Sequence, residues 1–187
     1  MRVGLFFGTF DPLHNGHLAV AGYFLAEEYV DEVWLVPSPQ NPLKDASQIA
    51  PIETRIANIQ RALNVVGERR LRVCDIEAKM PTPSYTVRTL RQLGKKFPGA
   101  TFSLIMGADT ATTLHQWREV NKLLNGWDIL IYPRRGYQVD KNLLAMCVRM
   151  QMVDAPLFEI SATQVRQLRA QGKSWRCFVP AGSGERA

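Results

Sequence analysis

At 187 residues the chain is long enough for one domain with one substantial core, and its 46% apolar and 21% charged residues exclude disordered, collagen-like and coiled-coil classes. Its 23 Lys and Arg against 17 Asp and Glu leave a net charge of +6, which favours an anionic partner without choosing between nucleic acid and phosphorylated small molecules. The basic residues are dispersed apart from pairs such as Arg69-Arg70, Lys95-Lys96 and Arg134-Arg135, so sequence-specific nucleic-acid binding has little support.

Arg2 to Phe7 is a short apolar run ending at Gly8 and predicts a strand. From Gly16 the spacing changes to Leu18, Ala21, Gly22, Leu25 and Tyr29, the one-sided stripe of a helix. Glu32 to Val36 predicts a second strand. Pro51, at a natural first helical position, precedes Ile52, Ile56, Ile59 and Leu63, and Leu71 to Ile76 predicts a third strand. Val87, Leu90 and Leu93 mark a helix, Thr101 to Met106 a strand, Trp117 to Leu124 a helix, and Asp128 to Tyr132 a strand closed by Pro133. The remainder predicts a helix around Leu143 to Met150, a short strand near Leu157 to Ile160, and a last helix from Ala162 to Gln171 stopped by Gly172. Strands and helices in alternation predict a single α/β domain over residues 1–187, a doubly wound, Rossmann-like parallel sheet with helices on both faces. The tail from Ala181 to Ala187 reads as flexible.

No apolar run approaches the roughly 20 residues that span a bilayer, and the N-terminus lacks the pattern of a secretory signal, so a cytoplasmic location without a membrane partner is expected. Cys74, Cys147 and Cys177 are far apart and odd in number, which argues against a disulfide framework or a thiolate metal site.

In a doubly wound sheet, ligands bind beyond the carboxyl ends of the strands. After the first strand stands Gly8-Thr9-Phe10-Asp11-Pro12-Leu13-His14-Asn15-Gly16-His17, opening directly into a helix. Neither common nucleotide loop, G-x-G-x-x-G nor G-x-x-x-x-G-K-[ST], is present. Gly8 lets the backbone approach a ligand, and Gly16 admits a phosphate against the free N–H groups of the helix start. His14 and His17, three residues apart, can direct both imidazoles to one phosphoryl group, and Thr9 adds a hydroxyl. A plain turn with a surface histidine pair is one alternative. An H-x-x-H metal site is another, although the remaining histidine, His115, is distant in sequence.

Near the end, Ile160-Ser161-Ala162-Thr163-Gln164-Val165-Arg166 offers Ser161 and Gln164 as a capping box. Thr163 and Arg166 lie on one face of the helix start, where hydroxyl, N–H groups and guanidinium would converge on a phosphate.

These two segments resemble the H-x-G-H and I-S-x-T-x-x-R motifs of the nucleotidyltransferase superfamily, and the first, after Val-Gly-Leu-Phe-Phe, is similar to that of bacterial nicotinate-nucleotide adenylyltransferases. The resemblance extends over nearly the whole chain. It implies ATP contacts at Gly8, Thr9, Phe10, His14, Gly16, His17, Gly107, Asp109, Ile160, Ser161, Thr163 and Arg166. For nicotinate mononucleotide it implies Lys44, Ser84, Tyr85, Thr86, Asp109, Trp117 and Arg134, with backbone donors near the helix start receiving the carboxylate and the indole stacking on the pyridine ring. Asp109 could equally cap a helix, and Trp117 could equally be core. Pro39-Gln40-Asn41-Pro42-Leu43-Lys44 stands in place of the family's P-P-H-K loop, with Leu43 replacing the histidine.

The implied reaction joins ATP and nicotinate mononucleotide into nicotinate adenine dinucleotide, with Mg²⁺ carried by ATP. The attacking phosphate is already ionised, so positioning and charge stabilisation suffice. His14, His17, Lys44 and Arg166 are the expected catalytic groups. Nicotinamide mononucleotide or phosphopantetheine as acceptor, or a non-catalytic nucleotide-binding module, are the competing expectations.

Overall fold

Parity along the strands decides the architecture. In β1 (Arg2–Gly8), Val3 and Leu5 belong to one core and Phe6 to another. The same alternation runs through β2 (Glu32–Pro37), β4 (Thr101–Gly107) and β5 (Asp128–Tyr132): Trp34, Leu104 and Ile129 share the first core, Leu35, Ile105 and Leu130 the second. A sheet with two buried faces needs helices on both. In the computed structural model, which describes residues 1–39 and 49–183, α1 (Asn15–Ala26) and α2 (Ile52–Val66) cover the second core. The first is covered by α3 (Thr86–Lys96) and α5 (Val120–Gly126), with the single-turn α4 (Ala108–Ala111) between β4 and α5.

With β3 (Leu71–Val73) and β6 (Met150–Met152), the sheet has the order β3-β2-β1-β4-β5-β6, every pair parallel. The predicted doubly wound α/β fold is therefore correct. Chain direction in the order reverses between β1 and β4, and the crevice at their carboxyl ends is where such folds take ligands.

Four predicted elements shift. The third strand stops at Val73, and Ile76–Lys79 forms a 3₁₀ turn instead. The helix expected at Trp117 begins at Val120, leaving Trp117 just after the 3₁₀ turn Leu114–Gln116. The helix expected around Leu143 to Met150 is α6 (Lys141–Met146). No strand forms near Leu157 to Ile160. The sixth strand is Met150–Met152, where the Val153 N–H still reaches Ile131 O at 2.8 Å. Leu157 is exposed, so alternation there marks a loop lying on the surface. The last helix, α7 (Ala162–Ala170), ends as expected, with Gly172 at φ +65° and the Lys173 N–H on Leu168 O. At the C-terminus, Gly182 packs onto the Arg61 main chain and Val65 of α2.

Candidate active site

The loop after β1 is held open by an unusual wedge. Phe10 adopts φ +49°, is buried, and lies edge-on to Phe6 and His17 at 5.8 and 4.9 Å between ring centroids. A Cβ on Gly8 would come within 2.9 Å of that ring, so Gly8 is needed to seat Phe10. What Phe10 can offer a ligand is its main chain.

His14 is the N-cap of α1, and with His17 it forms a capping box from two imidazoles. The His17 N–H donates to His14 Nδ1 at 3.3 Å, and the His14 N–H donates to His17 Nδ1 at 3.2 Å. The rings stack with centroids 3.6 Å apart. An imidazole whose Nδ1 accepts carries its proton, when neutral, on Nε2, so the backbone fixes both rings as Nε2–H donors. Burial, with the Arg134 charge nearby, pushes His14 down to about 4 from its ordinary 6.5, which keeps it neutral at pH 7.

The two motifs meet in space. A Cβ on Gly16 would sit 3.0 Å from His14 Nδ1 and 3.1 Å from Ile160 Cβ and O, so the glycine lets the start of α1 touch the loop that leads into α7. Arg166 donates from Nη1 to Asp11 O at 2.6 Å and from Nη2 to Thr163 Oγ1 at 3.3 Å, bridging the motifs across 155 residues. Ser161 caps α7, accepting from the Gln164 N–H at 3.1 Å, the forward half of the expected box. Ser161, Thr163 and Arg166 are all exposed.

Two clefts flank this junction. The larger, about 670 Å³, is lined by Gly8, Thr9, Ser84, Tyr85, Thr86, Asp109 and Trp117, among others. The smaller, about 290 Å³, is lined by Asp109, Arg134, Ile160 and Ser161 with Tyr137 and Phe158. Asp109 belongs to both. It does not cap a helix: Gly107 holds that position for α4, and the Asp109 carboxylate lies 3.8 Å from Arg134 Nε. A Cβ on Gly107 would collide with Asp109 Oδ1, which explains the glycine. Arg134 stacks over Tyr132, donates to Phe158 O, and stands with Ile160 and Ser161 and not with Ser84, Tyr85, Thr86 and Trp117. Trp117 is half-buried, packing against the first core while lining the large cleft. Tyr85 precedes α3 without a side-chain cap, unlike His14 before α1 and Ser161 before α7, and its helix start opens on the large cleft.

Two residues escaped the sequence reading. Arg55 is buried at 2% exposure on the apolar face of α2, with Ile59 and Ala62. It donates to four main-chain carbonyls: Ala50, Thr9, Ser38 and Pro39. The Ala50 N–H in turn donates to Asp11 Oδ2 at 2.9 Å. Arg55 thus clamps the H-x-G-H loop to both ends of segment 40–48, and a charged residue recurring on a helix's apolar face was the available signal. Lys44 lies outside the described residues. Glu77, from the Ile76–Lys79 turn, lines the large cleft although only 2% exposed. Among the described residues no group of three His, Cys, Asp or Glu could hold a metal ion, and no helix is long and apolar enough to cross a membrane.

Fold and site together define a nucleotidyltransferase, and the profile of the cytidylyltransferase-like family matches residues 5–168. The chain belongs to that family. A protein of Porphyromonas gingivalis named "Probable nicotinate-nucleotide adenylyltransferase" is 39% identical, the match covering 96% of this chain and 90% of that one. One of the same name from Bacteroides fragilis is 40% identical over 95% of this chain and 87% of the other. The nicotinic acid mononucleotide adenylyltransferase of Plasmodium falciparum, solved with NaAD, superposes with a TM-score of 0.79 at 16% identity, over 97% of this chain and 92% of that one, and shares the fold.

Proposed function

We propose that the chain transfers the adenylyl group of ATP to nicotinate mononucleotide, yielding nicotinate adenine dinucleotide and pyrophosphate on the route to NAD. A 5′-phosphate oxygen of the mononucleotide attacks the α-phosphorus. The new P–O–P bond forms as the bond to the bridging oxygen breaks, and pyrophosphate leaves with that electron pair. The nucleophile arrives ionised, so the protein's work is alignment and charge stabilisation. His14 and His17 supply Nε2–H donors to the α-phosphate. Thr163, Arg166 and Ser161 face the leaving pyrophosphate, with main-chain groups of Gly8, Thr9 and Phe10 beneath the nucleotide, and Lys44 adds charge from segment 40–48. Ile160, Gly107 and Arg134 border the ATP side. Mg²⁺ would be held by triphosphate oxygens and water, and when bound it neutralises charge on the leaving group. A cytoplasmic location suits this soluble chemistry.

One observation carries the acceptor assignment: the uncapped start of α3 and the Trp117 indole face the same cleft. Free N–H groups at Thr86 and the positive end of the helix suit a carboxylate, and an indole suits a flat heteroaromatic ring. Asp109, shared by the clefts, suits a ribose hydroxyl where the two nucleotides meet. The test is pyrophosphate release from Mg-ATP with nicotinate mononucleotide, nicotinamide mononucleotide or phosphopantetheine in separate reactions, with chromatography of the product. Fast turnover with the acid mononucleotide is expected. Turnover confined to phosphopantetheine, or ATP binding with no turnover, would overturn the reading.

A further inference from the structure

Glu77 carries a buried carboxylate with one oxygen left unused. Oε1 accepts from Thr89 Oγ1 of α3 at 2.7 Å, while Oε2 is buried with no hydrogen-bond partner. Its neighbours are polar but uncharged: the Ser38 hydroxyl after β2 and the Ser84 hydroxyl before α3 favour its charged form without bonding Oε2, and burial outweighs them, raising its pKa. The Cys74 thiol, itself pushed up by burial, lies on the preceding strand side, and Asp75 and Lys79 of the same turn pair with each other at 2.6 Å. The same cleft is lined by Asp109, Tyr85, Tyr137 and Arg118, whose guanidinium stacks on Tyr85. Among the described residues no cation pairs with Glu77.

A buried, half-satisfied carboxyl is costly, and there are two reliefs. The group keeps its proton and donates it, or it accepts a hydrogen from a ligand. Glu77 lines the cleft beside Ser84, the residue two before the helix start assigned to the ring carboxylate.

We propose that Glu77 reads the ring substituent of the acceptor, donating as a carboxylic acid to a carboxylate and accepting from an amide once ionised. The proposal rests on the acceptor reading above. Its sign follows directly. At low pH the neutral Glu77 hydrogen-bonds the acid acceptor. As pH rises the group ionises, a like charge faces the acid, and the amide gains an acceptor for its N–H, so preference for the acid falls.

The experiment is the ratio of kcat/KM for nicotinate mononucleotide to that for nicotinamide mononucleotide across the whole pH range in which the enzyme stays folded and active, for the wild type and Glu77→Gln. Titration of ATP, of the acceptor phosphate and of the histidines is common to both acceptors and cancels in the ratio. The wild-type ratio should fall about tenfold, a change of one pKa unit in linked terms, with the change residing in the acceptor KM. Glutamine neither ionises nor loses its hydrogen-bonding atoms, so its ratio should be flat with pH. A thermal melt and the KM for ATP confirm that the variant is folded. A flat wild-type ratio, or a Glu77→Gln ratio that tracks the wild type, overturns the proposal alone. No turnover with either mononucleotide overturns the acceptor reading and this proposal with it.

Discussion

The side of this crevice proposed for the phosphates and the side proposed for the acceptor are built from different materials. On the phosphate side, side chains do the work: two imidazoles locked as donors, a hydroxyl cap and a guanidinium that ties one motif to the other. On the acceptor side the walls are an uncapped helix start, one indole and a buried carboxyl. A site of charged transfer thus needs fixed donors with known tautomers, whereas a site that selects a flat ring needs a shaped slot and open main-chain groups.

The largest expected effect lies on the phosphate side. His17→Ala should lower kcat by about 10² to 10³-fold, as for loss of one transition-state donor, with a stability loss of about 1 kcal/mol because the same ring accepts the His14 N–H in the α1 cap. A kcat within a factor of a few of the wild type would place the chemistry elsewhere. Next comes Arg55, which serves both sides through Thr9 and Ser38. Arg55→Met strands four buried or half-buried carbonyls and should cost about 3 kcal/mol in urea unfolding; a loss under about 1 kcal/mol would contradict the clamp.

His14 links the comparison to pH. Its folded pKa of about 4 lies below its unfolded 6.5, so the unfolded chain binds the extra proton between those values and stability falls as pH drops from about 6.5 towards 4. At pH 4.5 the loss from this residue should be about 2 kcal/mol relative to pH 7. His14→Asn keeps a good N-cap, so its unfolding curves should show that much less acid sensitivity. The smallest effect is Ser161→Ala, about 1 kcal/mol in stability for a lost cap. A larger effect on the KM for ATP than on stability would show that the hydroxyl also meets the nucleotide.

The same contrast explains what could be read from the sequence. The phosphate motifs are short and contiguous, and the histidine and serine-threonine-arginine signatures stand out because rare polar residues recur at helix starts. Their purpose was only half legible: Gly16 is there for the His14 ring and Ile160 to approach, a fact of tertiary contact. Strand parity gave the sheet, but the edge was misplaced. Met150–Met152 is too short for a pattern, and Leu157 to Ile160 alternates without pairing. Trp117 and Asp109 stood undecided between core or cap and ligand until the turn Leu114–Gln116 and α4 positioned them. Arg55 left one trace, a charge on the apolar face of α2, but its clamp depends on main-chain carbonyls, and the role of Glu77 on a cavity wall, that no local spacing encodes.

The most direct test of two separate clefts joined at Asp109 is a crossed measurement of KM for ATP and for nicotinate mononucleotide in Trp117→Ala and Arg166→Ala. Loss of the stacking platform should raise the mononucleotide KM about tenfold, on the order of one aromatic contact, and leave the ATP KM within about twofold, whereas loss of the guanidinium should do the reverse. If both constants rise together in each variant, the two nucleotides share one site and the account of this crevice is wrong.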